Sequence, residues 1–386
     1  MKFIYFLLSL VAALFILQGC ETEVDLNADY RSTTVVYGLL DPIQDTQWIK
    51  INRTFLGEGN NLDYALIRDS SEYKWDEFNS IRVHAIEDGE IVATFNLQEK
   101  EISSKSINGI FYGPVQTVYY FPTPSGLIAE RSYRLEIDFK ERQDVSAETE
   151  LVAPSQISFL NASGLQVRSI PLVQRTSDIS FEYKTFTGNI NPDESAPIYE
   201  VALRLYLTER TYTDATHTIL ISERPLTLEY RLGSFNSNDI NSLGRIPFAI
   251  NGENIFQYIG ASLNSDDNIV YQIGEFDPTD TPFEGTVAME LVAYAGGEEL
   301  FTYNQVNSPT TGIIQERPTY TNINNGLGLL SSRTAIRLKD IPMTVIDPSL
   351  TANTSNLLAL RYSEYTSNIN FCDPGAEATE FIPVCQ

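Results

Sequence analysis

The chain has 386 residues, with 26 Lys or Arg against 51 Asp or Glu, for a formal net charge of -25. A field of that sign repels nucleic acid and anionic lipid, so no nucleic-acid partner is expected. Hydrophobic residues make up 42% of the chain, with 21 Tyr and 20 Phe, which excludes global disorder and favours strands.

Lys2, an apolar run from Phe3 to Leu17 and then Gln18-Gly19-Cys20 follow the grammar of a secretory signal peptide. The run is short for a bilayer crossing, which needs roughly 20 residues. Leu17-Gln18-Gly19-Cys20 resembles the lipobox of bacterial lipoproteins, in which the thiol takes a diacylglycerol and becomes the first residue of the mature chain. Residues 1–19 are therefore expected to be removed, and Cys20 to carry the anchor at the head of a tether over 20–31. Glu21, Glu23, Asp25 and Asp29 behind it resemble the loose surface-export signal of Bacteroidota lipoproteins. The expected location is the outer membrane, held through acyl chains and facing the cell exterior, with the periplasmic face as the alternative.

Strand signals are dense over 32–153. Thr34–Leu40 precedes the turn at Asp41-Pro42, and Trp48–Phe55 runs to Gly57-Glu58-Gly59-Asn60. Residues 60–80 read as a long polar loop. Ile81, Val83 and Ala85 alternate with Arg82 and His84, and Asp88-Gly89 predicts a tight hairpin into Ile91–Leu97. Val115–Phe121, Tyr133–Phe139 and Ala147–Val152 complete the set before the linker-like Ala153-Pro154-Ser155. Short strands without helical periodicity predict an immunoglobulin-like or transthyretin-like β-sandwich.

A second β-rich domain with a few short helices is expected over 154–340. Val201–Leu207 reads as a strand, and His217–Ile221 with Leu226–Leu232 as a hairpin around Arg224-Pro225. Ile255, Phe256, Ile259 and Leu263 have helical spacing after Asn251-Gly252. Val287–Leu291 is strand-like, and Glu298-Glu299 open a helix through Val306. Asn322–Gly328 reads as a turn or loop before a strand at Thr334–Leu338. The remainder, 341–386, reads as a tail. With Cys20 assigned to lipid, Cys372 and Cys385 are left to form one disulfide in an oxidising compartment.

The order of these features resembles a Bacteroidota outer-membrane lipoprotein family built on a domain of unknown function. The likeness covers about residues 32–340. It is carried by the lipobox, Val35–Leu40, Trp48–Arg53, Tyr133–Ile137, the helix at Asn254–Ile259 and Thr321–Gly328. Within the last run, Asn322, Asn324, Asn325, Gly326 and Gly328 form the family loop. The resemblance implies a gene neighbourhood with TonB-dependent channels and a partner in the same membrane, a β-barrel outer-membrane protein complex.

No catalytic constellation is legible and no cofactor is expected. His84 and His217 are the two histidines, and both sit in strand-like contexts that suggest solvated sheet faces. No Gly-x-Ser-x-Gly elbow, Walker loop, dinucleotide fingerprint or His-Glu-x-x-His motif occurs. Asp277 and Asp280 are weak calcium candidates without EF-hand spacing, and no other metal site is expected. Phe111, Tyr112, Tyr119, Tyr120 and Tyr303 are the candidate interface or ligand aromatics; the competing role is core packing. The expectation is a non-enzymatic accessory lipoprotein. A surface lipoprotein capturing a glycan or peptide is the alternative, and an envelope hydrolase the weakest reading.

Overall fold

The computed structural model describes residues 32–56, 60–106, 108–177, 180–273, 288–307, 319–346 and 357–372. The lipobox with Cys20, the acidic tether, Asp277, Asp280 and Cys385 lie outside them.

The chain is predominantly β, with several sheets and a few short helices. In chain order come β1 (Thr34–Leu40), β2 (Thr46–Arg53), α1 (Asn61–Ala65), α2 (Arg68–Ser71), β3 (Phe78–Glu87), β4 (Glu90–Asn96) and β5 (Gln98–Ser103). Next are β6 (Val115–Pro122), β7 (Ser132–Phe139), β8 (Val145–Glu150), β9 (Ser158–Asn161), β10 (Ile170–Ser177), β11 (Ser180–Tyr183) and β12 (Thr185–Asn191). Then follow β13 (Ile198–Tyr212), β14 (Leu220–Asn236), β15 (Ile246–Asn251), α3 (Gly252–Ser262), β16 (Ile269–Ile273) and β17 (Ala288–Gly296). Last come α4 (Glu298–Asn307), β18 (Gly326–Ile346), α5 (Leu357–Tyr362) and β19 (Phe371–Cys372).

One 12-stranded sheet organises the molecule, in the order β19-β16-β13-β17-β18-β1-β2-β6-β5, with β14 on β13 and β10 and β11 reached through β18. β18 is its spine. Its first residues pair in parallel with β1, from Thr34–Gly326 to Leu40–Ser332, and the next pair antiparallel with β17. Strand alternation puts two cores on one side of this sheet. Val36, Leu40, Ile49, Ile51, Tyr119, Phe121 and Leu330 meet Ile81, Val83, Leu135 and Ile137 of the four-stranded sheet β4-β3-β7-β8. Val201, Leu203, Leu205, Leu291 and Ala293 meet Ile255, Phe256 and Ile259 of α3 and the inner side chains of the sheet β15-β12-β9. The helix starts where expected because the Asn251 side chain accepts the Asn254 N–H at 3.1 Å. Gly252 is required there, since a Cβ would stand 2.1 Å from the Leu172 carbonyl oxygen.

Several expectations need correction. The turn is not at Arg224-Pro225: β14 runs unbroken through it, and the chain reverses at Thr213–Ile219. β14 pairs with β13 alone among the described strands, and an edge strand tolerates proline. The Asn322–Gly328 run is only half a loop, because β18 begins at Gly326. Gly328 has φ +108, and its Cβ would stand 2.0 Å from the Val36 carbonyl oxygen, so glycine here permits the parallel approach of β1 and β18. Residues 60–80 hold two short helices and a 3-10 turn rather than one loop. β9 and β11 have four residues each, and β12 carries Thr, Gly and Asn between its inward Phe186 and Ile190, so these three strands show no legible alternation in the sequence.

Cys372 is the one cysteine among the described residues and is disulfide-bonded. Cys385, its expected partner, lies outside them, so the expected pairing is not described. Cys372 does not belong to a loose tail, since it is 1% exposed, packs with Tyr212 and Val270, and sits on β19 in parallel pairing with β16.

A candidate docking surface

The side of the large sheet opposite the cores carries a patch of exposed aromatics. On β1, alternation sends Val36 and Leu40 into the core and turns Tyr37 and Leu39 outward, where they are 47% and 38% exposed. Trp48 on β2 faces the same way at 42%, and its ring lies 5.2 Å from that of Tyr120, its register partner on β6. The Lys100 ammonium, from β5, stands 5.5 Å from the Trp48 ring. Tyr120 is oriented by its hydroxyl, which donates to Gln98 Oε1 at 2.9 Å. At the other edge, Tyr303 of α4 hydrogen-bonds Tyr37; partial burial and then this bond push the Tyr37 hydroxyl above its ordinary pKa.

Where the β2–β6 ladder ends, Glu72 closes a gap in the sheet. The β2–β6 ladder runs from Thr46–Pro122 to Ile49–Tyr119, and Asn52 then bridges to Glu72 instead. The Glu72 carboxylate takes the place of a strand: it accepts the Thr117 N–H at 3.1 Å and the Thr117 hydroxyl at 2.9 Å. Lys50 at 3.1 Å and Arg68 at 3.0 Å complete its shell, with Lys105 at 3.8 Å. Burial alone would raise the Glu72 pKa, but Lys50, Arg68 and the Thr117 N–H outweigh it and hold the carboxyl below its usual range. Lys50 is lowered, first by burial and only partly restored by Glu72.

The expected aromatics separate into three environments. Tyr120 and Tyr303 contribute to the patch. Tyr119 does not: it is fully buried, with Trp75 and Phe78 against its ring and its hydroxyl without a hydrogen-bond partner, and burial drives its pKa well up. Phe111 and Tyr112 belong to the β5–β6 loop, where Phe111 is exposed and the Tyr112 N–H donates to the Ala65 carbonyl at 2.8 Å. Tyr37, Leu39 and Trp48 were legible only as strand residues. The signal that could have found them is an apolar side chain on both parities of a strand whose one face already fills a core.

The Asn322–Gly328 run acts as a clasp. The Asn322 side chain donates to the Leu330 carbonyl at 2.6 Å and accepts the Leu330 N–H at 3.0 Å, as a neighbouring strand would. The Asn324 backbone pairs with Ser146, and Asn325, at φ +60, donates to the Asp144 carbonyl at 2.9 Å. Asn325 thereby lines a cavity of about 330 Å³ with Arg82, Glu136, Asp138 and Asp144. A larger groove of about 560 Å³ is lined by Glu148, Glu150, Glu194, Glu298 and Glu299. Among the described residues no group of His, Cys, Asp and Glu is arranged to hold a metal ion.

Neither histidine lies where the sequence suggested. His84 is 6% exposed rather than solvated, because its strand is flanked on both sides. Nδ1 hydrogen-bonds Thr94 at 2.9 Å, and Nε2 reaches Glu136 at 3.2 Å. His217 stands in the β13–β14 turn at φ +55, with Nε2 at 2.7 Å from the Asp267 carbonyl oxygen.

No protein-family model matches this chain, and no curated protein matches it.

Proposed function

We propose that this chain is a non-enzymatic outer-membrane lipoprotein, anchored through acyl chains on Cys20 and facing the cell exterior. In this reading it is an accessory subunit of a TonB-dependent channel or an outer-membrane protein assembly complex, and a member of the Bacteroidota family it resembles. The two-sheet region around β1 to β8 is read as an immunoglobulin-like or transthyretin-like sandwich that presents the docking face.

The observation that carries the reading is the outward Tyr37, Leu39, Trp48 and Tyr120. Trp and Tyr dominate the buried centres of protein interfaces, where a large rigid ring contributes contact area at low entropic cost. A ring left 42% exposed on the outward face of a strand, beside other outward apolar side chains, favours a protein partner.

Purification of the native protein in mild detergent, read by mass spectrometry, tests the proposal. A β-barrel membrane protein is expected with the wild type and is expected to be lost with a Tyr37→Ala, Trp48→Ala double variant. Recovery of the wild type without any barrel overturns the accessory role. A fully soluble Cys20→Ala protein is expected; its retention in the membrane fraction overturns the lipid anchor.

A further inference from the structure

The pole at which the tether enters has its own chemistry. Ser32, the first described residue, is held by its hydroxyl on the Thr54 carbonyl at 3.1 Å and by Arg142 on its own carbonyl at 3.3 Å. Thr34 pairs with Arg53 at the end of β2, and antiparallel register puts the beginning of β6 at the same end. Two segments therefore converge at this pole: the one after β2, with α1 and α2, and the β5–β6 loop.

These segments expose five large apolar side chains. Leu62, Leu66 and Ile67 are 57%, 59% and 51% exposed, and Ile110 and Phe111 are 62% and 54%. They form one built surface. The Tyr112 N–H bond to the Ala65 carbonyl joins the segments, Lys105 Nζ donates to the Tyr112 carbonyl at 3.2 Å, and the Glu72 cluster ties Arg68 and Lys105 to the sheet behind. An apolar cluster supported in this way is a contact surface, not a chance exposure.

We infer that this pole is a lipid-contacting surface: Leu62, Leu66, Ile67, Ile110 and Phe111 enter the bilayer interface and set the molecule's orientation on the membrane. The inference rests on the Cys20 anchor of the proposed function. The chain from Cys20 to Ser32 can reach at most roughly 40 Å, which makes this pole the end of the molecule nearest the anchor. Arg68, Lys74 and Lys105 at this pole are paired with Glu72, Glu101 and Asp69, so apolar side chains rather than net charge carry the contact. The sheet face of Trp48 then stands to the side of the anchor, within reach of a neighbouring barrel.

The full-length acylated protein in zwitterionic vesicles containing dibrominated phosphatidylcholine provides the test. The chain has two tryptophans, Trp48 and Trp75. A Trp48→Phe, Trp75→Phe, Phe111→Trp variant therefore reports from the pole, and a Trp75→Phe variant reports from the sheet face. The pole reporter should blue-shift and lose roughly half or more of its emission, as expected for a side chain about 5–10 Å into the boundary, while Trp48 changes little. Leu62→Ser with Leu66→Ser should reduce that quenching several-fold. Cofloating vesicles with an unquenched pole reporter overturn the inference and leave the anchor standing. Failure to cofloat overturns the anchor and the inference with it. Quenching that needs a co-reconstituted barrel assigns the pole to a protein partner and overturns it as well.

Discussion

The outer side of the large sheet carries two unlike chemistries along its width. Near β13, β17 and β18 it holds charge. Glu290 is 1% exposed, and its Oε2 accepts the Tyr206 hydroxyl and pairs with Arg204 at 3.5 Å, while Arg337 stands 3.6 Å from Oε1. Arg204 also bonds Glu229 at 2.8 Å and the Tyr294 hydroxyl, whose ring lies 4.5 Å from the Arg333 guanidinium. Near β1, β2 and β6 the same side holds Tyr37, Leu39 and Trp48, which are solvent-facing. The charged end buries its carboxylate among cations and tyrosines, with Glu290 Oε1 met, among the described residues, only by the Arg337 ion pair; the aromatic end leaves much of its largest side chains in water. The buried charges serve the fold, and the open face is the one proposed for a partner.

The comparison breaks most sharply at Arg204. Arg204→Ala removes the cation from Glu290 and Glu229 together and leaves Glu290 buried with only Tyr206 and the more distant Arg337. Losing one member of a buried ionic group costs about 3–5 kcal/mol, and urea unfolding should show a loss of that size. Arg204→Lys should recover only part of it, since a point charge cannot serve two carboxylates and a tyrosine in one plane. A loss under 1 kcal/mol would mean that the charged end is as dispensable to the fold as a surface ion pair.

How much of this was legible in the sequence follows from what each feature depends on. β1, β7, the Asp88-Gly89 turn and α3 were read from local pattern, because their inward side chains alternate or recur at helical spacing and their caps are nearby. Asp88 and Gly89 do take φ +52 and +83. β18 was misread at its start because Gly328 is needed by Val36, almost 300 positions away, and no local pattern carries that. Pro225 suggested a turn because sequence does not reveal that its strand has one neighbour. The candidate patch is half legible: Tyr120 and Tyr303 stand out as aromatics beside loops, while Tyr119, next in the chain, points into the core. Adjacent strand residues take opposite fates, so an aromatic run cannot be assigned as a unit.

Glu72 sharpens the comparison because it is a buried charge at the aromatic end. Glu72→Gln should cost roughly 2 kcal/mol, in the range of a hydrogen bond to a charged group. The pH dependence has a definite sign. The Glu72 carboxyl sits below its ordinary value of 4.5 in the folded chain, so its contribution is fully present above that value and fades as pH falls through the folded pKa. Wild type and Glu72→Gln should therefore differ most near neutrality and converge as the pH falls below the ordinary carboxyl value and through the lowered folded one, measured as the difference in urea midpoint. A difference that grows on acidification would contradict the ionic role.

Trp48→Ala is the smallest expected change to the fold and the clearest test of why the aromatic end is built as it is. The indole contributes its stack on Tyr120 and the Lys100 contact, and much of its surface is already in water. Stacking of this kind is worth about 0.5–1.5 kcal/mol beyond area, and partial exposure puts Trp48 at the lower end. Hydrogen exchange of β1 and β2 should be almost unchanged, with stability within about 1 kcal/mol of wild type. A fold that tolerates losing the ring has not kept it outward for stability. If Trp48→Ala instead costs as much as Arg204→Ala, the ring is a structural element like Glu290, and the distinction between the two ends of the sheet fails.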